Sequence, residues 1–334
     1  MSSLPPPQEP LAFVRIPKAK VWGGERLAER LGVRTADGPL GETWELSDYP
    51  GEETAIRGGA WDGRTLRELM DEHGAAVLGA SRPSADGRFP LLVKFIDAGD
   101  DLSVQIHPPD GPKSPTGVGK TEAWYVLDGA PDASLICGLK PGTTREAFEA
   151  AAGGPGVREF LHELSVRRGD CVLVPAGQTH AIRRGTVLCE VQQTSDVTYR
   201  MYDWDRVGLD GKPRETHLEQ ALEVVDWSLP PAEPVRAEFV GGPGLQSEPL
   251  VACPYFELRA LRAGEQGGEV RTEGRASVLS VVGGAGRIEP LPGSTFAPRD
   301  LRFGDVLLLP ATLEGVTLRA LGAAGLEVLQ AVAL

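Results

Sequence analysis

The chain has 334 residues, a length for about two domains, and 41% of them are apolar, so core burial is ordinary. A formal charge of -13 at pH 7 argues against nucleic acid as the main partner, because phosphate backbones need a basic surface; it leaves room for a small anion held by a local cluster of Lys and Arg. No apolar run reaches the ~20 residues of a membrane span, and the start, Ser2 to Pro7, lacks the charged-then-apolar pattern of a signal peptide.

Short apolar runs between Gly, Pro and Asp dominate, the pattern of a β-sandwich or barrel. In chain order, Thr65 to Glu68 reads as a capping box opening a helix that stops at Gly74. Strands follow at Leu91–Ile96 and Ala123–Leu127. Thr143 opens a second short helix ending near Gly153. Strands Cys171–Val174 and Val187–Val191 come next, and Thr216 opens a third helix with Leu218, Ala221, Leu222 and Val225 at helical spacing. Pro230, Pro231 and Pro234 then break the chain. This gives an N-terminal domain over 1–228 and a C-terminal β domain over 229–334. The four cysteines, Cys137, Cys171, Cys189 and Cys253, form no C-x-x-C pair and read as reduced thiols. The expectation is a cytoplasmic protein, monomeric or a small homo-oligomer, with neither membrane nor nucleic-acid partner.

The chemistry concentrates in two stretches. Gln105 and His107 are two apart, so on a strand they share one face, and Ser103 joins them. Lys120 and Glu122 repeat the arrangement. His180 follows the turn-forming Pro175 to Gly177, which can aim its imidazole inward. Gln105, His107, Glu122 and His180 together offer two imidazoles, a carboxylate and an amide oxygen, a mixed set suited to zinc with room for a substrate oxygen. His73, His162 and His217 lie in or near polar helical or loop segments and read as ordinary core or surface residues. A weak internal repeat is present: Gly304 to Pro310 echoes Gly169 to Pro175, and Val278 to Gly283 echoes Trp124 to Gly129. The positions matching Glu122 and His180 are Ala276 and Gly315, so the second copy has no imidazole site.

These residues resemble the cupin superfamily. The second cupin motif, Gly-x5-Pro-x-Gly-x2-His, is matched in full from Gly169 to His180. The first departs in two ways: Gln105 stands for its first His, and Pro108 to Lys120 is a longer insertion. Both departures resemble the type I mannose-6-phosphate isomerases in their short bacterial form. So do Val21 to Gly24, Gly41 to Glu45, Ser103 to Pro108, Lys120 to Glu122 and Ser195 to Arg200. The resemblance runs in order from about Val14 to Leu222. It implies a mainly β fold of two cupin-type jelly-roll barrels, the first metal-binding and the second degenerate, with a few short helices. It also implies one zinc ion per chain on Gln105, His107, Glu122 and His180, and a sugar-phosphate substrate. Lys94, Ser103, Lys120, Glu190, Arg200 and Arg206 then match positions around that substrate.

Aldose–ketose isomerisation passes through an enediol, which needs a base, a stabiliser of oxyanion charge and proton exchange between O1 and O2. Arg200 fits the stabiliser, being a permanent planar cation. Lys94 and Lys120 could act as base or stay charged and bind phosphate, and Glu190 competes with them as base. Arg206 is a phosphate contact or else an ion-pair partner of Asp203 or Asp205. Two other readings of the chain stay open: an isomerase of another sugar or sugar phosphate, and a non-catalytic sugar-binding cupin. A cupin oxygenase is disfavoured, because such sites use three or more histidines around iron.

Overall fold

Apolar runs punctuated by Gly and Pro turns form strands throughout the computed structural model, which describes residues 4–334; Ser2 and Ser3, at the start of the segment read for a leader, lie outside the described residues. The expected strands appear as Leu91–Ala98, Glu122–Gly129, Asp170–Val174 and Thr186–Gln193. Leu91–Ala98 is buried at every position, which explains its nearly unbroken apolar sequence and makes Lys94 and Asp97 conspicuous.

The chain divides into two compact units, each assembled from discontinuous segments. One comprises the N-terminal segment through Ile16, Glu45–Leu92 and Arg236–Leu334; the other comprises Pro17–Trp44 and Val93–Val235. This differs from the single cut between 228 and 229 expected from the sequence. The reason is strand pairing: Leu11 pairs with Leu308, and Phe13 with Ile56, so early strands join the sheet of the late ones. No local pattern announces a partner so far along the chain.

In the Pro17–Trp44, Val93–Val235 unit, two sheets face each other. The seven-stranded sheet runs in the order Val235–Arg236, Asp170–Val174, Glu122–Gly129, Thr186–Gln193, Leu91–Ala98, Ile16–Gly24, Leu40–Leu46. The five-stranded sheet runs Tyr199–Tyr202, Val104–Ile106, His180–Ile182, Ser134–Leu139, Leu161–Ser165. Their shared core includes Trp22, Ile96, Trp124 and Val172 from the first, and Leu135, Leu164 and Ile182 from the second. Helices Arg145–Ala151 and Leu218–Val224 and the 3-10 turn Pro155–Phe160 cover the outer face of the second sheet through Phe148, Val157, Ala221 and Val224. The strand pairings of the described residues do not close into a barrel. The mainly β class with few helices holds, but open sheets stand where closed barrels were expected.

Two helix starts move by one residue. The second helix is capped by Thr144, whose hydroxyl accepts from Ala147 N–H, instead of by Thr143. The third begins at Leu218 with His217 as N-cap, not Thr216. The His217 N–H donates to Arg200 O at 2.7 Å, and its ring Nδ1 accepts from Arg200 N–H at 3.3 Å, so a strand contact fixes this helix start.

The other unit holds a ten-stranded sheet around Leu279, Leu307, Leu309 and Val328. Ala276 is fully buried there, and a Cβ at Gly315 would lie 2.4 Å from Val270 O. The repeat positions that match Glu122 and His180 are thus filled by close packing. In the same unit, the expected capping box on Leu66–Leu78 forms: Thr65 Oγ1 accepts from Glu68 N–H at 3.2 Å, and Glu68 Oε2 accepts from Thr65 N–H at 2.8 Å. Replacing Thr65→Ala should lower the unfolding free energy by about 1 kcal/mol in a urea titration; an unchanged midpoint would mean the cap adds nothing.

Candidate active site

Strand register brings the candidate ligands together. His180 lies directly opposite Gln105, and Arg200 pairs with Gln105 on its other side. Glu122 opens its strand in the facing sheet, opposite Gln192 and Val174. His107 follows Val104–Ile106 and is held by a turn. Gly177 N–H donates to His107 O at 2.9 Å, with Gly177 at φ +87, a conformation that favours glycine. A side chain there would also meet Asp226 Cβ at 2.9 Å. One glycine turn therefore positions both imidazoles.

His107, Glu122 and His180 are buried, and their ligand atoms all lie within 4.8 Å of one another. This is the sole such cluster of His, Cys, Asp or Glu among the described residues. Each imidazole uses Nδ1 on a backbone carbonyl: His107 on Val197 O and His180 on Gln178 O, both at 2.8 Å. Those bonds fix the protons on Nδ1 and leave both Nε2 atoms as lone pairs. The two Nε2 atoms are 3.1 Å apart, and the Glu122 carboxylate is 3.4 Å from one and 3.6 Å from the other. Neither Glu122 oxygen has an aligned hydrogen bond, although Lys120 Nζ makes an ion pair at 2.9 Å. Donors on a tetrahedral ion with about 2.0–2.1 Å bonds stand about 3.3 Å apart, so this spacing fits a single small cation.

Gln105 sits beside the cluster with Nε2 3.3 Å from His180 Nε2, while its Oε1 accepts from Ser103 Oγ at 3.1 Å. The amide oxygen expected as a ligand faces Ser103 in this arrangement. A half-turn of the amide exchanges the two atoms at nearly the same positions, and only then does Gln105 offer oxygen.

Electrostatics follow from burial. Burial, then the Lys120 charge, hold the His107 pKa below its ordinary value; burial and His107 push His180 down to about 3. Burial alone would raise Glu122, but Lys120 and the two imidazoles hold it well below the carboxylate range.

A polar cavity of ≈ 250 Å³ adjoins this cluster, with Ser103, Gln105, Lys120, Trp124 and Arg200 in its wall. Lys94 and Glu190 line it too. Burial disfavours the Lys94 charge, yet Glu42, Asp196 and Glu190 outweigh it and raise its pKa. Its Nζ is 3.4 Å from Asp196, 3.5 Å from Glu190 and 4.0 Å from Glu42. Glu190 is pushed up by burial and by Glu122. Its Oε2 accepts from Trp124 Nε1 at 3.0 Å, while its Oε1 has no hydrogen bond. Glu42, which no metal motif contains, also lines the cavity; burial raises it, but Lys20, Lys94 and the Trp44 indole bring it to about 2.

Arg206 does not line the cavity. It pairs with Asp203 at 2.9 Å and Asp100 at 3.3 Å, which is the ion-pair alternative to the phosphate contact. Arg214 and His217 occupy the cavity wall instead. Sequence reading missed the first and took the second for an ordinary residue. The available signal was a cluster of Arg and His just after the arginine motif.

The family model described as phosphomannose isomerase type I, catalytic domain, matches residues 14–127. Mannose-6-phosphate isomerase ManA of Bacillus subtilis is 35% identical over 314 residues, 90% of this chain and 93% of the relative. The mannose-6-phosphate isomerase of Streptococcus mutans is 35% identical over 310 residues, covering 92% and 94%. The crystal structure of the mannose 6-phosphate isomerase from Bacillus subtilis superposes with a TM-score of 0.86 at 28% identity, over 97% of this chain and 99% of that one.

The two depressed imidazoles have a sign-definite consequence. In the unfolded chain they take up protons as pH falls through about 6.5; in the folded chain His180 stays neutral to about pH 3. Their contribution to stability is present above pH 6.5 and is lost as pH falls below it, on the order of 1 kcal/mol per pH unit. Urea unfolding in chelator between pH 7.5 and 5 should show that slope, and His180→Gln should flatten it. An equal slope in wild type and variant would mean the ring titrates normally.

Proposed function

The chain belongs to the type I mannose-6-phosphate isomerase family, and we propose that it interconverts mannose 6-phosphate and fructose 6-phosphate through an enediol. The observation that carries the chemistry is a pair of buried imidazoles, both with lowered pKa, facing one carboxylate beside a cavity lined by the Glu190 carboxyl, whose pKa is raised. His107, Glu122 and His180 would hold one divalent ion per chain, with the Gln105 amide oxygen as fourth donor once turned. The borderline N/O donor set supports zinc. When bound, such an ion supplies Lewis-acid polarisation of the substrate oxygens.

The remaining work falls to side chains of the cavity. Glu190 takes the proton from one of C1 and C2 and returns it to the other, because its Oε1 makes no hydrogen bond, only the 3.5 Å ion pair to Lys94, and burial with the Glu122 charge raises its pKa. The Trp124 indole orients that carboxyl through Oε2. Lys94 is a poorer base, since three carboxylates keep it charged; it holds the local charge balance and orients substrate hydroxyls. Lys120 and Ser103 hold the oxygens at C1 and C2, with Lys120 passing a proton between them. The Arg200 fork stabilises negative charge on the enediolate oxygen, as a cation with planar donors and a free Nε.

The motif at Gly169 to His180 and its echo at Gly304 to Pro310 support reading the two units as cupin-type folds, the second degenerate. Four free cysteines, three of them buried, support a reducing, cytoplasmic setting. Among the described residues, no helix is long and apolar enough to cross a membrane.

A coupled assay with mannose 6-phosphate, mannose and glucose 6-phosphate should show efficient turnover of the first alone. Chelation, or His180→Ala, should remove bound metal and activity together; full activity after chelation would contradict the reading. Glu190→Gln should keep metal but stop incorporation of solvent deuterium at C1 and C2, lowering kcat by about 10²–10⁴-fold. Arg200→Lys should keep metal but slow exchange and turnover together by orders of magnitude, because both pass through the enediolate. Normal turnover in either variant would assign that residue a structural role.

A further inference from the structure

The cavity contains two separate electrostatic neighbourhoods. Glu42, Lys94, Lys120, Glu122 and Glu190 act on one another. Arg200 instead feels Arg214, Asp203, Arg206 and Glu215. In this second group the cations outnumber their buried partners. Asp203 is buried and takes both Arg214, at 2.5 and 2.7 Å, and Arg206, at 2.9 Å. Arg206 is further satisfied by Asp100. Arg200 has no carboxylate in ion-pair contact; its Nη1 donates to the Glu215 backbone O at 2.6 Å, and the Glu215 side chain is 84% exposed. Of the three guanidiniums, Arg200 and Arg214 line the cavity, with His217 and Thr198 beside them. The His217 Nδ1 accepts from Arg200 N–H, which leaves its Nε2 as a donor. This part of the wall offers donors and an excess of positive charge in a chain of formal charge -13.

We propose that Arg214 and His217 recognise the phosphate group of the substrate, holding a dianionic phosphate monoester while C1 and C2 lie toward Glu190 and the imidazole–carboxylate cluster. The assignment rests on the sugar-phosphate isomerase reading above. A guanidinium fork matches two phosphate oxygens, and its second edge stays on Asp203, which fixes the orientation in advance. Arg200 stands between the neighbourhoods: its backbone pairs with Gln105, and its guanidinium belongs to the cationic group. Arg206 serves indirectly, by sharing Asp203 and leaving Arg214 less fully neutralised.

The test measures binding and turnover together, on the full chain with its metal. Inorganic phosphate, mannose 6-phosphate and mannose are titrated by calorimetry against wild type, Arg214→Gln and Arg214→Lys. The lysine variant keeps an Asp203 partner and covers the case in which the glutamine variant fails to fold. Inorganic phosphate and mannose 6-phosphate should each bind about 10- to 100-fold more weakly to Arg214→Gln, the worth of a charged hydrogen bond, with a smaller loss for Arg214→Lys. The kcat/KM preference for mannose 6-phosphate over mannose should fall in parallel. Loss of inorganic phosphate binding with mannose 6-phosphate unaffected would make this a separate anion site and overturn the assignment. Equal losses for mannose and mannose 6-phosphate would also overturn it, by giving Arg214 a purely structural role. Wild type that binds both phosphates at Arg214 without isomerising them would keep the phosphate site and reject the isomerase reading instead.

Discussion

Two imidazole lone pairs 3.1 Å apart, next to a buried carboxylate, are the constraint around which the site is arranged. Acceptors so close in a dry environment repel unless positive charge lies among them. The backbone enforces the arrangement. Carbonyls of Val197 and Gln178 take the Nδ1 protons, and the Gly177 turn and the Gln105–His180 register fix where the rings stand. The carbonyls set the tautomers, so the lone pairs converge before any ligand arrives. The facing sheet supplies Glu122, and all three side chains are buried.

Around that centre, buried charges are balanced in sequence. Lys120 faces Glu122, Lys94 faces Glu190 and Glu42, and Lys20 reaches Glu42 at 3.3 Å. Burying any one of these alone is strongly unfavourable, and breaking such a pair typically costs about 3–5 kcal/mol. Within the balance, two carboxylates of one cavity are driven apart. Glu42, with Lys20, Lys94 and an indole donor around it, is held down to about 2; Glu190 is pushed the other way by burial and the Glu122 charge. Such a division lets two chemically identical groups take different roles in proton transfer.

The second unit shows what the strand pattern alone provides. Its Gly304 to Pro310 segment repeats the frame of Gly169 to Pro175, and its sheet is well packed around aliphatic side chains. Yet Ala276 and Gly315 lie in tight surroundings, so a histidine or glutamate could not enter without displacing backbone. The frame carries the fold; the polar side chains placed on it carry the chemistry.

Much was legible in the sequence because a strand has a period of two. That period puts Ser103, Gln105 and His107 on one face, and Lys120 with Glu122 on another. Turn chemistry likewise announced the approach to His180, and the short apolar runs announced the mainly β class. Tertiary structure alone decided what depends on distant pairing: that Leu11–Phe13 joins the late strands, that Glu42 and Arg214 reach the cavity, that Arg206 turns away to Asp203 and Asp100, and that His217 is tied to Arg200. Local periodicity fixes the face on which a side chain stands. The partner across from it is chosen by long-range strand register and by which buried charges must be balanced, and neither is written in neighbouring residues.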